Sequence, residues 1–82
     1  MIDNVIVTVN AERQAFSLDM ELPANIPIKE LAPKLLETLK EIEPSKFRSV
    51  EKLSLIYNGV ILSENETLES EAVWDGNILI VR

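Results

Sequence analysis

The side chains that most often carry chemistry are thiols, imidazoles and carboxylates, and this sequence keeps only the last, with 14 Asp and Glu but no Cys and no His. Without cysteine there is no thiolate nucleophile, no disulfide and no thiolate zinc site. Without histidine the usual general base near neutral pH and the commonest metal ligand are missing, which excludes most hydrolytic and metal-assisted mechanisms. The carboxylates left to consider are Glu64, Glu66, Glu69, Glu71 and Asp75, a run with no basic residue inside it. Glu69 and Glu71 are a pair of the kind that serves acid/base work or a divalent cation, but the loop spacing of an EF-hand is absent. A solvated acidic loop is the simpler reading, and at most the run would steer a basic partner at low ionic strength. No nucleophile and base stand out together among the serines, lysines and carboxylates. The sequence therefore predicts no enzyme, no cofactor and no metal site, and leaves protein binding as the mode of action.

The 82 residues suit one domain, taken as residues 1–82, close to the lower limit at which a core holds without staples. With 46% apolar and 27% charged residues the composition is that of a folded, soluble domain. A net charge of −6, with the eight basic residues scattered, argues against nucleic acid or an anionic membrane surface as ligand. No apolar run is long enough for direct membrane insertion, and the first residues lack the basic start and apolar stretch of a signal peptide, so a cytoplasmic location is expected.

The elements that would position a binding surface follow from periodicity. From Asn4 to Asn10 the chain alternates, with Val5, Val7 and Val9 on one face of a strand and Ile6 and Thr8 on the other. After a polar interruption, Phe16, Leu18, Met20 and Leu22 alternate with Ser17, Asp19 and Glu21, which reads as the second arm of a β-hairpin. Beyond Pro23 the period changes, and Ile28, Leu31, Leu35, Leu39 and Ile42 fall on one face of a helix. Pro33 interrupts it, removing one backbone bond and predicting a kink or an irregular first turn. Pro44 ends the pattern, with Phe47 and Val50 as anchors in the polar connection that follows. Leu53 to Tyr57 is a third strand, Asn58-Gly59 a two-residue turn, and Val60 to Leu62 a short fourth strand. An acidic segment from Ser63 to Glu71 has Leu68 as its one apolar plug, and Asp75-Gly76 turns the chain into a last strand, Ile78 to Val81.

This order predicts an α+β fold, a ubiquitin-like β-grasp in which one main helix packs on a mixed sheet of four to five strands. First and last strands would lie parallel at its centre. If Val5, Val7, Val9, Leu55, Leu79 and Val81 face the helix, then Ile6, Ile56, Ile78 and Ile80 face away from it. Contributed by adjacent strands, these four isoleucines form the candidate protein-binding site, an exposed apolar stripe of the kind that marks contacts. A symmetric homodimer would use the same face. Scattered surface isoleucines are the bland alternative, since β-branched residues suit strands anyway. Trp74 and Tyr57 are read either as interface anchors or as aromatics that pin loops to a small core.

Leu55-Ile56-Tyr57-Asn58-Gly59-Val60-Ile61-Leu62, followed by Thr67-Leu68, resembles ubiquitin, and the spacing stays in step through Arg82. Modifiers and sulfur carriers of this class act through a C-terminal Gly-Gly tail, whereas this sequence closes on Val81-Arg82, so neither role is expected. A narrower resemblance lies in Leu22-Pro23-Ala24-Asn25-Ile26-Pro27-Ile28-Lys29-Glu30-Leu31, in Leu35-Leu36-Glu37-Thr38-Leu39, and in Asp75-Gly76-Asn77-Ile78-Leu79. These stretches are similar to the YukD/EsaB family of small bacterial ubiquitin-like proteins, encoded with type VII (WXG100 or ESAT-6-like) secretion machinery. The resemblance implies a non-catalytic accessory or docking protein, recruited to the inner face of the cell membrane by a component of that machine. It brings no catalytic residue with it. A general adaptor unrelated to secretion is the rival that the fold leaves open. Trp74-Asp75-Gly76 spells the W-x-G motif of the secreted substrates, but those are helical hairpins and the match here is read as chance.

Overall fold

The computed structural model describes residues 3–82. The two alternating segments form β1, Asn4–Ala11, and β2, Phe16–Pro23, an antiparallel hairpin in register from Asn4 opposite Pro23 to Ala11 opposite Phe16. Between them the polar interruption closes as one 3-10 turn, Glu12–Gln14, which Ala15 leaves in the left-handed region at φ 51. Helix α1 spans Ile28–Ile42 and a short α2 spans Pro44–Phe47. Three brief strands complete the chain: β3, Leu55–Tyr57; β4, Val60–Ile61; and β5, Ile78–Val81. The predicted β3 and β4 are longer at their outer ends, where the pairing continues past the regular strands through Leu62 N–H to the Leu55 carbonyl at 2.8 Å and through a reciprocal pair between Ser54 and Arg82, each N–H donating to the other's carbonyl at 2.7 and 3.0 Å.

The five strands form one sheet in the order β2-β1-β5-β3-β4, with β1 and β5 parallel and every other pair antiparallel. α1 covers one face. Val5, Val7, Val9, Leu55, Leu79 and Val81 point under it and are buried, as their alternation predicts. From the helix come Ile28, Leu31, Leu35, Leu36 and Leu39. Ile42, expected to finish that stripe, is instead 44% exposed. It is the last residue of α1, where the chain swings into α2, and the fully buried Phe47 fills the core beyond it. Phe47 meets Phe16 edge-on with ring centroids 5.9 Å apart, tying α2 to β2. Val50 also packs against the core, so both expected anchors hold the connection down.

α1 runs through Pro33 without a break, and the irregularity lies in its first turn. There the Pro27 carbonyl accepts from both Glu30 N–H at 2.9 Å and Leu31 N–H at 3.0 Å. Two orphan N–H groups of that turn are capped from a distance: Ile28 donates to the Glu66 carbonyl at 2.8 Å and Lys29 to the Glu64 carbonyl at 3.0 Å. The acidic segment thus supports the helix start with its backbone, while the Glu66 carboxylate accepts from the Ser70 hydroxyl at 2.9 Å. Leu68, fully buried, anchors the segment, and Thr67 and Ser70 exchange side-chain to backbone hydrogen bonds within it.

Candidate functional site on the outer sheet face

Register fixes the neighbours on the face opposite α1. Ile56 in β3 lies directly between Ile61 of β4 and Ile80 of β5. Two residues back along β5, Ile78 stands opposite Thr8 of β1. Ile6 follows diagonally, beside the turn that leads into β5, where Gly76 N–H donates to the Ile6 carbonyl at 2.9 Å. The result is a diagonal apolar band, Ile6, Ile78, Ile80, Ile56 and Ile61, crossing four of the five strands.

Exposure within the band is uneven. Ile6 is 53% and Ile78 57% exposed, and Ile80 is half-buried, as a contact surface requires. Ile56 is the correction: it faces outward as expected but is only 7% exposed. Flanked on both sides by isoleucines of paired strands, it forms the floor of the band and offers a partner little area. Ile61, at 67% exposure, supplies the accessible surface at that end. The sequence reading missed it, although the pairing across the Asn58-Gly59 turn, which sets Ile61 opposite Ile56, was available to find it.

The remaining outer face is polar and acidic. Asp19 of β2 accepts from the Thr8 hydroxyl at 2.7 Å, and Glu21 accepts from the Asn4 side-chain amide at 3.0 Å. Both carboxylates therefore stand in fixed places next to the band. Arg82, directly after β5, is engaged by Glu12 at 3.0 Å. Apolar centre and acidic flank together make a surface complementary to an apolar segment that carries basic groups.

Sequence reasoning also missed why Asp75 stands before Gly76. Its carboxylate accepts the backbone N–H of Ile6 at 2.7 Å, and Asn77 continues the seam through its carbonyl, which accepts Thr8 N–H at 2.9 Å. Asn77 Oδ1 takes the Trp74 N–H at 2.7 Å and the Tyr57 hydroxyl at 3.1 Å. The 74–77 loop is thereby stitched to the edge of the band, with the Trp74 indole left 42% exposed at the Ile6 end. Tyr57 pins the loop, as one of its two readings had it. Among the described residues no cluster of carboxylates has the arrangement of a metal site.

A second concave feature lies on the helix side. Between α1 and the β3–β4 edge runs a groove of about 450 Å³, with Ile28, Pro33 and Leu36 on one wall and Leu53 and Leu62 on the other. Lysines and glutamates alternate along its rim, and Lys52 meets Glu64 at 3.8 Å across one end, so it presents no net sign.

A helix on a mixed five-stranded sheet with its parallel pair at the centre is the ubiquitin-like β-grasp. The sequence profile of the YukD family, described as "WXG100 protein secretion system (Wss), protein YukD", matches residues 4–81, and the chain belongs to this family. It is a ubiquitin-like accessory domain of the type VII secretion class. No curated protein matches by sequence. Among solved structures, the ubiquitin-like domain of the Mycobacterium tuberculosis type VII secretion protein ECCD1 superposes with a TM-score of 0.76 at 21% identity, covering 98% of each chain. The EccD5 ubiquitin-like domain from Mycobacterium xenopi superposes with a TM-score of 0.78 at 22% identity, over 99% of this chain and 94% of that one. A chain of the MycP5-free ESX-5 inner membrane complex gives 0.79 at 24% identity over 99% of this chain. This chain spans only 21% of the length of that component. At these identities the superpositions establish the shared fold. No helix among the described residues is long and apolar enough to cross a membrane.

Proposed function

We propose that residues 1–82 act as one non-catalytic docking unit of the WXG100 secretion machine, and that the outer sheet face binds a component of that machine at the inner face of the membrane. The observation that carries this reading is the diagonal band, whose Ile6, Ile78 and Ile61 are exposed on a face that α1 leaves open and are flanked by the held carboxylates of Asp19 and Glu21. Exposed apolar area of this kind, bordered by charge, marks contacts more often than chance. Family membership supplies the machine, and the ESX-5 chain described above belongs to an inner membrane complex, which supports a membrane-proximal partner here. The absence of His and Cys supports a role in binding rather than catalysis.

The test is capture of tagged protein from detergent-solubilised membranes of cells that carry the machine, comparing wild type with Ile78→Asp and Ile6→Asp. Both positions are more than half exposed, so the variants are expected to fold. Secretion components held by wild type and lost by both variants support the reading. Retention by both variants moves the contact off this face. Capture of none by folded wild type favours a general adaptor. If the two variants instead abolish a dimer seen in solution, the face joins two copies of the chain.

A further inference from the structure

The outermost strand carries a row of hydrogen-bonding groups that the fold leaves unused. Ala24 N–H donates to the Asp3 carbonyl at 2.9 Å, which makes Asp3 and Ala24 a hydrogen-bonded pair of the β1–β2 ladder. Such pairs alternate along an antiparallel ladder. The backbone groups of Leu22, Met20, Leu18 and Phe16 therefore turn toward β1, and those of Ser17, Asp19 and Glu21 turn away from it. β1 confirms the phase from its other side, since Ile6 and Thr8 direct their N–H groups to Asp75 and Asn77. β2 ends the sheet, and among the described residues no backbone group pairs with the outward N–H or C=O of Ser17, Asp19 or Glu21.

Exposed edges of this length are ordinarily blunted by charged side chains, lysine above all, by proline or by a bulge. Phe16–Leu22 has no lysine, proline or bulge, its register with β1 is continuous, and its charges are the two carboxylates of Asp19 and Glu21, which repel an acidic guest but not a basic one. We propose that this edge binds an extended peptide segment of alternating apolar and basic side chains, which joins the sheet as a further strand beside β2. The side chains along the edge select it. On the outer face the guest would lie next to Asp19 and Glu21, where opposite charges pair favourably across strands. On the inner face it would cover Leu18, left 37% exposed, and the half-buried Phe16 and Met20. A second copy of the chain is disfavoured, because two β2 strands edge to edge set these carboxylates against their equivalents. The length of the guest is limited by Ala15, in the left-handed region, and by Pro23, which has no N–H to offer. The net charge of −6 adds long-range attraction for a basic segment.

The test uses the isotopically labelled chain and a capped peptide of alternating arginine and valine, as long as the Phe16–Leu22 edge, with the glutamate–valine peptide as control. In the free protein the amides of Ser17, Asp19 and Glu21 should exchange quickly and those of Leu18, Met20 and Leu22 slowly. The basic peptide should slow the first set at least several-fold and the acidic peptide should not. Asp19→Pro removes one outward donor that the fold does not use, which an edge strand tolerates, and should abolish the protection. Asp19→Lys with Glu21→Lys should weaken the basic peptide by about tenfold or more, and keeps the test open should the proline variant unfold. Ile78→Asp, which probes the outer face, should leave this binding in place, so the two surfaces stand or fall separately. Unchanged exchange at Ser17, Asp19 and Glu21 overturns the proposal. So do equal responses to both peptides, perturbations confined to Ile6, Ile78 and Ile80, or a β2-to-β2 dimer.

Discussion

Ile56 and Ile78 are the same residue type on the same sheet face, yet one is 7% and the other 57% exposed. Truncating each to alanine removes three carbons, worth about 0.8 kcal/mol each when fully buried. Scaled by burial, that is about 2 kcal/mol at Ile56 and about 1 kcal/mol at Ile78. At Ile56 the void between Ile61 and Ile80 adds a cavity cost that the open surface at Ile78 does not incur. For a domain of this size 1 kcal/mol moves Tm by about 4–8 °C, so Ile56→Ala should lower it by about 8–16 °C and Ile78→Ala by roughly half as much or less. Thermal and urea unfolding followed by circular dichroism, with an unchanged urea dependence to show that the native state is intact, measure both. Equal losses, or a larger loss at Ile78, would refute the assignment of Ile56 as the floor of the band. The comparison also bears on partner assays, since a binding defect in an Ile56 variant mixes lost stability with lost contact.

Asp75→Ala should destabilise by about 1–2 kcal/mol, because the Ile6 N–H loses its acceptor, and Asp75→Asn should recover most of this, as chemical unfolding will show. Phe47→Ala should cost about 3–5 kcal/mol, a large part of the stability of so small a domain, and calorimetry should find a much lower or absent transition. Pro33→Ala should raise Tm, since Pro33 is exposed and its replacement restores a helical N–H for the Lys29 carbonyl; a lower Tm would show that the rigidity of proline in the unfolded chain matters more. Gly59→Ala should cost about 1 kcal/mol at φ +78 although nothing crowds its Cβ, which an unfolding titration would register.

Period-2 alternation made β1 and β2 legible because each buries one face only, and a shift of one residue would have turned Val5, Val7 and Val9 to solvent. The same rule placed Ile6, Ile56, Ile78 and Ile80 on the outer face correctly, but alternation gives direction and not depth. Depth depends on lateral neighbours, and Ile56 has isoleucines on both sides while Ile78 faces Thr8. Helical periodicity likewise marked the stripe of α1 but not its end, so Ile42 was expected inside. Asp75 and Asn77 were hardest to foresee, since their partners on β1 lie far away in the sequence. The β2 edge needed both the strand order and the phase of the ladder, and only the three-dimensional pairing supplies those.

The parallel pairing of β1 with β5 joins the first strand to the last four-residue strand at the middle of the sheet. During synthesis, β1 and β2 can form a hairpin as soon as they emerge, but the centre stays open until Ile78–Val81 has cleared the ribosome. At about 5–20 residues per second the chain spends seconds with the β5 side of β1 unpaired. The core is complete only once Leu79 and Val81, both fully buried, take their places. Completion of the sheet therefore waits for the emergence of β5, and a nascent chain stalled before Ile78 remains a substrate for chaperones.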